Sequence, residues 1–286
     1  MTPVLSIEQC RIVHDGTVTE PRLLHPEGIA VDREGNIWCG GELGQMYRLS
    51  ADGSVLEERA STGGFTLGMA FDASGRLYTC DLKYRAVFRF DPGSGELTRF
   101  ASFDERAEGP PNWVVVDSRR NALYVSESAG PAPPAPGVWR FDLDTGEGDR
   151  WYDRPLAFAN GMALAADASA LYVAETFARR IVRIPIEADG TAGAAEEVVV
   201  LENELPDGLA LDVEGNLYIA CYEPSRILRL SAEGRLEIFV DDPEAHTLCH
   251  PTNCAFRGSE LFIANLGRWH VTAVETGIQG VALPVG

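Results

Sequence analysis

The chain has 286 residues and a formal net charge of −19, from 43 acidic against 24 basic side chains, a balance that argues against nucleic acid or an anionic membrane as partner. No apolar run approaches the roughly 18 residues that a bilayer span requires. The opening MTPVLSIEQCRIV lacks the basic start and long apolar core of a secretion signal, so a cytoplasmic protein is expected.

Residues 1–20 read as an extended segment, with Ile12 and Val13 before a His-Asp-Gly turn. A hairpin pattern follows: a loop, a short apolar strand, an acidic Gly-containing turn and a second apolar strand. HPEGIAVDREGNIWCGG begins it at His25, and FTLGMAFDASGRLYTCD repeats it from Phe65. PPNWVVVDSRRNALYVSE from Pro110 and FANGMALAADASALYVAE from Phe158 are the third and fourth copies. LPDGLALDVEGNLYIA from Leu205 is the cleanest copy, and HPTNCAFRGSELFIAN from His250 the last.

Six copies at intervals of 40 to 48 residues have the period of propeller blades with four strands each. An all-β, six-bladed β-propeller of four antiparallel strands per blade is therefore expected, as a single domain over 1–286 with blades starting near 25, 65, 110, 158, 205 and 250. Between copies, QMYRLS with SVLEERA, AVFRFD with ELTRFAS, RRIVRIPIE with EEVVVLE, and RILRLS with LEIFVD supply third and fourth strands. The last copy is short of a fourth strand after Val271 to Val274, and the N-terminal segment is expected to provide it, because an open ring would leave two bare edges.

In blade three a Pro-rich insertion, AGPAPPAPG at 129–137, separates the second and third strands. Strand directions put it on the face where the first strands begin, together with FDERAEGPP and DDPEAHTLCHP. A lid and a stiff surface loop are both compatible with it.

Six cysteines (Cys10, Cys39, Cys80, Cys221, Cys249, Cys254) read as free thiols in a chain without a secretion signal. Cys39, Cys80 and Cys221 fall at or near second-strand ends, where a small buried side chain suffices, and Cys249 with Cys254 is too weakly spaced for a metal site.

One repeat position carries the functional expectation. Just before the first strand of each blade stand Glu27, Leu67, Asn112, Asn160, Asp207 and Thr252. The first strand of every blade lines the central channel, so these positions converge at its mouth. Glu27, Asn112, Asn160 and Asp207 form an all-oxygen set that suits Ca²⁺ best, with Mg²⁺ or Mn²⁺ possible and Zn²⁺ less natural. Asp and Asn before Gly are also ordinary turn residues, but Glu27 stands between Pro and Gly, and Asn112 precedes Trp113. At second-strand ends Gly41, Asp81, Glu127, Glu175, Cys221 and Asn265 make a weaker ring, of which Glu127 and Glu175 are expected to touch substrate. His25 and His250 share the position two residues before Glu27 and Thr252, and a structural hydrogen bond is the ordinary role for each.

With the PEG of blade one, ANGMAL and LYVAET of blade four, PDGLALD and GNLYIA of blade five, and PTNCAF and LFIAN of blade six, nearly the whole chain resembles the gluconolactonase, senescence marker protein and luciferin-regenerating enzyme family. The resemblance implies a propeller with a divalent metal in its channel that hydrolyses lactones. It implies that Glu27, Asn160 and Asp207 bind the metal and that Asn112 binds the metal or the substrate. Diisopropyl fluorophosphatases, with a similar Glu, Asn, Asn, Asp set around calcium, are related, and strictosidine synthase-like proteins share the fold with chemistry that need not use a metal.

Where sugar lactonases of the family often carry an Arg two residues before the blade-three Asn and Asp-Gly after it, this chain has Pro110 and Trp113. Trp113 in the channel would favour a more apolar or flatter substrate. The expectation is a metal-dependent lactonase in which Asp207 is the catalytic base or, less readily, the nucleophile. Its partner is a small molecule, and the chain is a monomer or weak homo-oligomer. A phosphotriesterase or aryl esterase, a non-hydrolytic propeller and a protein-interaction scaffold are the alternatives.

Overall fold

The structure, a computed structural model, describes residues 2–103, 105–130 and 135–281. The first hairpins turn as the sequence dictates. Asp32, Asp72 and Asp212 each accept the backbone N–H of the residue four positions on, while Gly35, Gly75 and Gly215 take φ near +80° in the same turn, a region where only glycine is unstrained. Trp38 Nε1 and the Tyr78 hydroxyl bond back to the Asp32 and Asp72 carboxylates, which ties each turn to the strand that follows it.

Six four-stranded antiparallel sheets result. Blade one is β2 (Ile29–Val31), β3 (Ile37–Gly40), β4 (Gln45–Leu49) and β5 (Leu56–Ser61). Blade two is β6 (Thr66–Phe71), β7 (Leu77–Asp81), β8 (Ala86–Phe90) and β9 (Leu97–Ser102). Blade three is β10 (Pro111–Asp117), β11 (Ala122–Glu127), β12 (Ala135–Asp142) and β13 (Gly148–Leu156). Blade four is β14 (Ala159–Leu164), β15 (Ala170–Glu175), β16 (Arg180–Pro185) and β17 (Glu196–Val200). Blade five is β18 (Pro206–Leu211), β19 (Leu217–Cys221), β20 (Arg226–Leu230) and β21 (Leu236–Asp241).

Blade six takes β22 (Pro251–Arg257), β23 (Glu260–Asn265) and β24 (His270–Glu275) from the end of the described chain and β1 (Arg11–Asp15) from its start. Arg11 pairs with Ala273 and Asp15 with His270, so the N-terminal segment closes the ring, as the missing strand required. Only a 3₁₀ turn, Ile7–Gln9, is helical among the described residues, and no helix is long and apolar enough to cross a membrane.

The inner strands β2, β6, β10, β14, β18 and β22 each touch the next and enclose the channel. The core lies between blades: Trp38 of blade one, for example, meets Phe71 and Phe90 of blade two. All six cysteines are free, with Cys39, Cys80 and Cys221 fully buried at second strands. Of the Pro-rich insertion, residues 131–134 lie outside the described residues, and with them the question of a lid.

Candidate metal centre in the channel

A one-residue slip in strand pairing aims the candidate side chains at the axis. Register shifts between Pro111 and Val114, Ala159 and Met162, and Pro206 and Leu209, so Asn112, Asn160 and Asp207 each sit inside a β-bulge. A bulge leaves a residue unpaired and turns its side chain away from the pleat. Glu27 stands just ahead of β2, and Thr252 of blade six holds it by donating from Oγ1 to the Glu27 carbonyl, 2.9 Å away.

All four candidates are buried. Glu27, Asn160 and Asp207 come together. The Glu27 charge acts on Asp207, and Asn160 lies within hydrogen-bonding reach of the same carboxylate. Burial first, and then Glu27, hold the Asp207 carboxyl well above its ordinary range, with Asn160 opposing them; burial pushes Glu27 up to about 7. Asn160 Oδ1 and Asp207 Oδ1 are both buried without a hydrogen-bond partner. Asn112 holds the equivalent register on β10 and is buried as well. Two buried carboxylates side by side, with orphaned oxygens and donors that are all hard, are a set that a divalent cation would fit, since uncompensated buried charge is costly. Among the described residues no cluster of three or more His, Cys, Asp or Glu forms such a site; this one has two carboxylates and is completed by amides.

Thr176, which the repeat pattern did not single out, orients Asn160. Its Oγ1 donates to the Pro206 carbonyl at 2.7 Å and accepts from Asn160 Nδ2 at 3.1 Å. Its one proton is committed, so it can only accept from the amide, and Asn160 Oδ1 is left facing the site. The signal was present as the position after Glu175 in the repeat, where Ser128 and Tyr222 stand in their blades. Tyr222 borders the site too: burial and then the charges of Glu27, Glu223 and Asp207 push its phenol up.

The second-strand ring is bonded to loops of the fold. Glu127 takes the backbone N–H groups of Glu108 and Gly109 and the Trp139 indole N–H. Glu175 takes the N–H of Ala157 and the Arg180 guanidinium. Asp81 accepts from Phe65 N and Asn265 from Cys249 N in the same way. Each pins the loop that leads into the inner strand of its own blade. Glu127 and Glu175 are 1% exposed, and the partners their oxygens meet are groups of the fold.

Trp113 does reach the channel, one layer below the four donors. In that layer the other blades have Gly28, Gly68, Gly161, Gly208 and Asn253. The indole fills the space the glycines leave, and a Cβ added at Gly68 or Gly208 would come within 3.0 Å of it. Beneath it lies an apolar cavity of about 210 Å³, walled by residues such as Met69, Val116, Leu211 and Phe256. Trp113 is thus the floor between a polar mouth and an apolar base.

His25 and His250 are set at the mouth with φ of +46° and +48°. His25 Nδ1 bonds to Glu42, and its ring stands edge-on to Trp269. His250 stacks on Tyr222 at 4.7 Å, with Nδ1 3.2 Å from the Tyr222 carbonyl and 3.0 Å from Glu223 Oε1.

The fold recurs in known proteins. The family described as SMP-30/gluconolactonase/LRE-like region matches residues 59–266. Lactonase drp35 of Staphylococcus aureus (strain MRSA252) is 37% identical over 220 residues, which cover 74% of this chain and 68% of the relative. The same enzyme of Staphylococcus haemolyticus is 26% identical over 221 residues, 74% of this chain and 67% of the relative. Among solved structures, the calcium-binding protein regucalcin of Agrobacterium tumefaciens aligns with a TM-score of 0.79 at 18% identity, covering 100% of this chain and 99% of its own. A gluconolactonase of Xanthomonas campestris aligns at 0.75 and 21%, covering 95% and 89%. At such identities the structural likeness is one of fold, whereas the sequence match spans most of the chain. The chain belongs to the SMP-30/gluconolactonase/LRE-like family.

Proposed function

We propose that the protein is a divalent-metal-dependent lactonase acting at the mouth of its channel. The observation that carries this reading is the pair of partnerless buried oxygens, Asn160 Oδ1 and Asp207 Oδ1, beside a second buried carboxylate, Glu27. Relatives named as lactonases and a gluconolactonase fold neighbour favour lactones as the substrate, and a calcium-binding fold neighbour favours Ca²⁺.

In this reading Glu27, Asn112, Asn160 and Asp207 hold the ion. When bound, such a cation supplies polarisation of the lactone carbonyl and charge stabilisation of the tetrahedral oxyanion. The chain supplies the rest. Asp207 accepts a proton from the attacking water as the new C–O bond forms, and the ring C–O bond breaks as the leaving oxygen takes that proton, giving a hydroxy acid. Asn160, fixed by Thr176, keeps its oxygen on the site throughout. Trp113 closes the channel below, so water reaches the carbonyl only from the mouth.

The test is elemental analysis of the purified chain followed by chelation against a panel of lactones. About one ion per chain, activity lost on stripping and regained with Ca²⁺ are expected. Undiminished turnover by metal-stripped protein would overturn the proposal.

A further inference from the structure

The six residues two positions ahead of the channel donors share one place in the repeat, in the loops that enter the inner strands: His25, Phe65, Pro110, Phe158, Leu205 and His250. All six are half-buried, and Phe65 packs against the core cluster between blades two and three. They are not distributed evenly. Four consecutive blades present Phe65, Pro110, Phe158 and Leu205, and the two blades joined by ring closure present the imidazoles. Phe158, like both histidines, is held at a positive φ, +64°.

The apolar side continues upward. Phe177, 46% exposed, packs edge-on against Phe158 with ring centroids 4.8 Å apart. Leu82 is also exposed in a loop on this face. The hydroxyl side chains nearby are already used: Ser128 Oγ donates to the Ala159 carbonyl, Thr176 Oγ1 to that of Pro206 and Thr252 Oγ1 to that of Glu27. A polyhydroxylated ring over blades two to five would therefore set several of its hydroxyls against phenyl and aliphatic groups, leaving their hydrogen bonds unmade. On the opposite side, each imidazole has Nδ1 engaged by a carboxylate or carbonyl, which leaves Nε2 as the nitrogen able to meet a polar atom.

Resting on the lactonase reading, we propose that the substrate is a lactone with an apolar alkyl or aryl substituent. The substituent lies along Phe158, Leu205 and Phe177, and the polar ester end is turned toward His25 and His250. Polyhydroxylated aldonolactones are poor substrates of this chain.

The experiment is a series of γ-lactones, from unsubstituted γ-butyrolactone through γ-alkyl chains of up to eight carbons, with glucono-δ-lactone beside it, on the metal-loaded full chain. Expected is a kcat/KM that climbs by about two- to fourfold per methylene until the wall is covered, with the aldonolactone at least about 100-fold below the best alkyl lactone. Phe158→Ser and Phe177→Ser should flatten the dependence on chain length, with folding checked by melting temperature and metal titration. A flat series on the unaltered chain, or an aldonolactone turned over as fast as the alkyl lactones, overturns the inference and leaves the lactonase standing. Hydrolysis of no lactone at all overturns both.

Discussion

Asn160 Nδ2 lies 3.1 Å from Thr176 Oγ1, and this contact decides which end of the Asn160 amide faces the channel. Thr176 can do this only because the Pro206 carbonyl takes its proton. A hydrogen bond between blades four and five thereby sets the electrostatic sign of one side of the site.

Thr176→Val keeps the shape and removes the acceptor. Metal affinity should fall about 10- to 100-fold, the usual loss when a supporting residue behind a ligand is removed, and Thr176→Ser should recover most of it. Calorimetric titration with Ca²⁺ measures both.

Asp207→Asn should separate function from stability. Turnover should drop by about 10² to 10⁴, the contribution typical of a positioned base. The metal-stripped protein should become more stable by about 1–3 kcal/mol, because a buried charge facing Glu27 is lost while the shape is kept. Chemical denaturation in chelator is the measurement, and a less stable variant would contradict the electrostatic argument.

The same pair predicts a pH dependence. Glu27 and Asp207 have folded-state values raised above the ordinary carboxylate range, Glu27 to about 7. The folded state therefore binds more protons than the unfolded state across this interval. Stability of the metal-stripped chain should fall as pH rises from about 4.5 to about 7, and Glu27→Gln with Asp207→Asn should remove that slope. Melting temperatures across pH 4.5–7.5, in chelator, check the sign.

Deleting residues 2–15 removes β1 and uncovers the whole edge of β24. It also removes Leu5, Ile7 and Cys10, which pack against the cluster containing Phe239 and Val274. The melting temperature should fall by at least about 5 °C, and the bare edge should promote association. Calorimetry and light scattering would show both.

Cys39 and Cys254 are pushed by burial to about 12, and burial holds Cys80 and Cys221 well above the ordinary thiol range. A thiol-specific disulfide reagent at pH 8 should leave these four untouched in the folded protein and label them on unfolding, because only the thiolate reacts.

The repeat was legible because each hairpin carries its own chemistry. In blades one, two and five an Asp and a Gly make the turn, and in every copy apolar residues make the strands, all within about 16 residues of chain. The missing strand of blade six was legible for the same reason, as a shortfall in a count. The loop-holding bonds of Glu127 and Glu175 were not legible, because a carboxylate at the mouth of a propeller looks the same in sequence whether it faces ligand or loop. Only the N–H groups of Glu108, Gly109 and Ala157, brought to them by the fold, distinguish the two. Thr176 went unnoticed because its role depends on Pro206, 30 residues away in a different blade.

Sequence alone determined what is local and periodic: six hairpins, their order, the donors repeated at one register position, and the excess of acid that disfavours polyanions. Tertiary structure alone decided where those side chains point. The bulges at Asn112, Asn160 and Asp207 arise from how two paired strands share their hydrogen bonds, and the glycine layer filled by Trp113 exists only once blades two, three and five meet at the hub. Pairing register and contacts between blades join residues far apart in the chain, and a periodic pattern read along the chain carries no information about them.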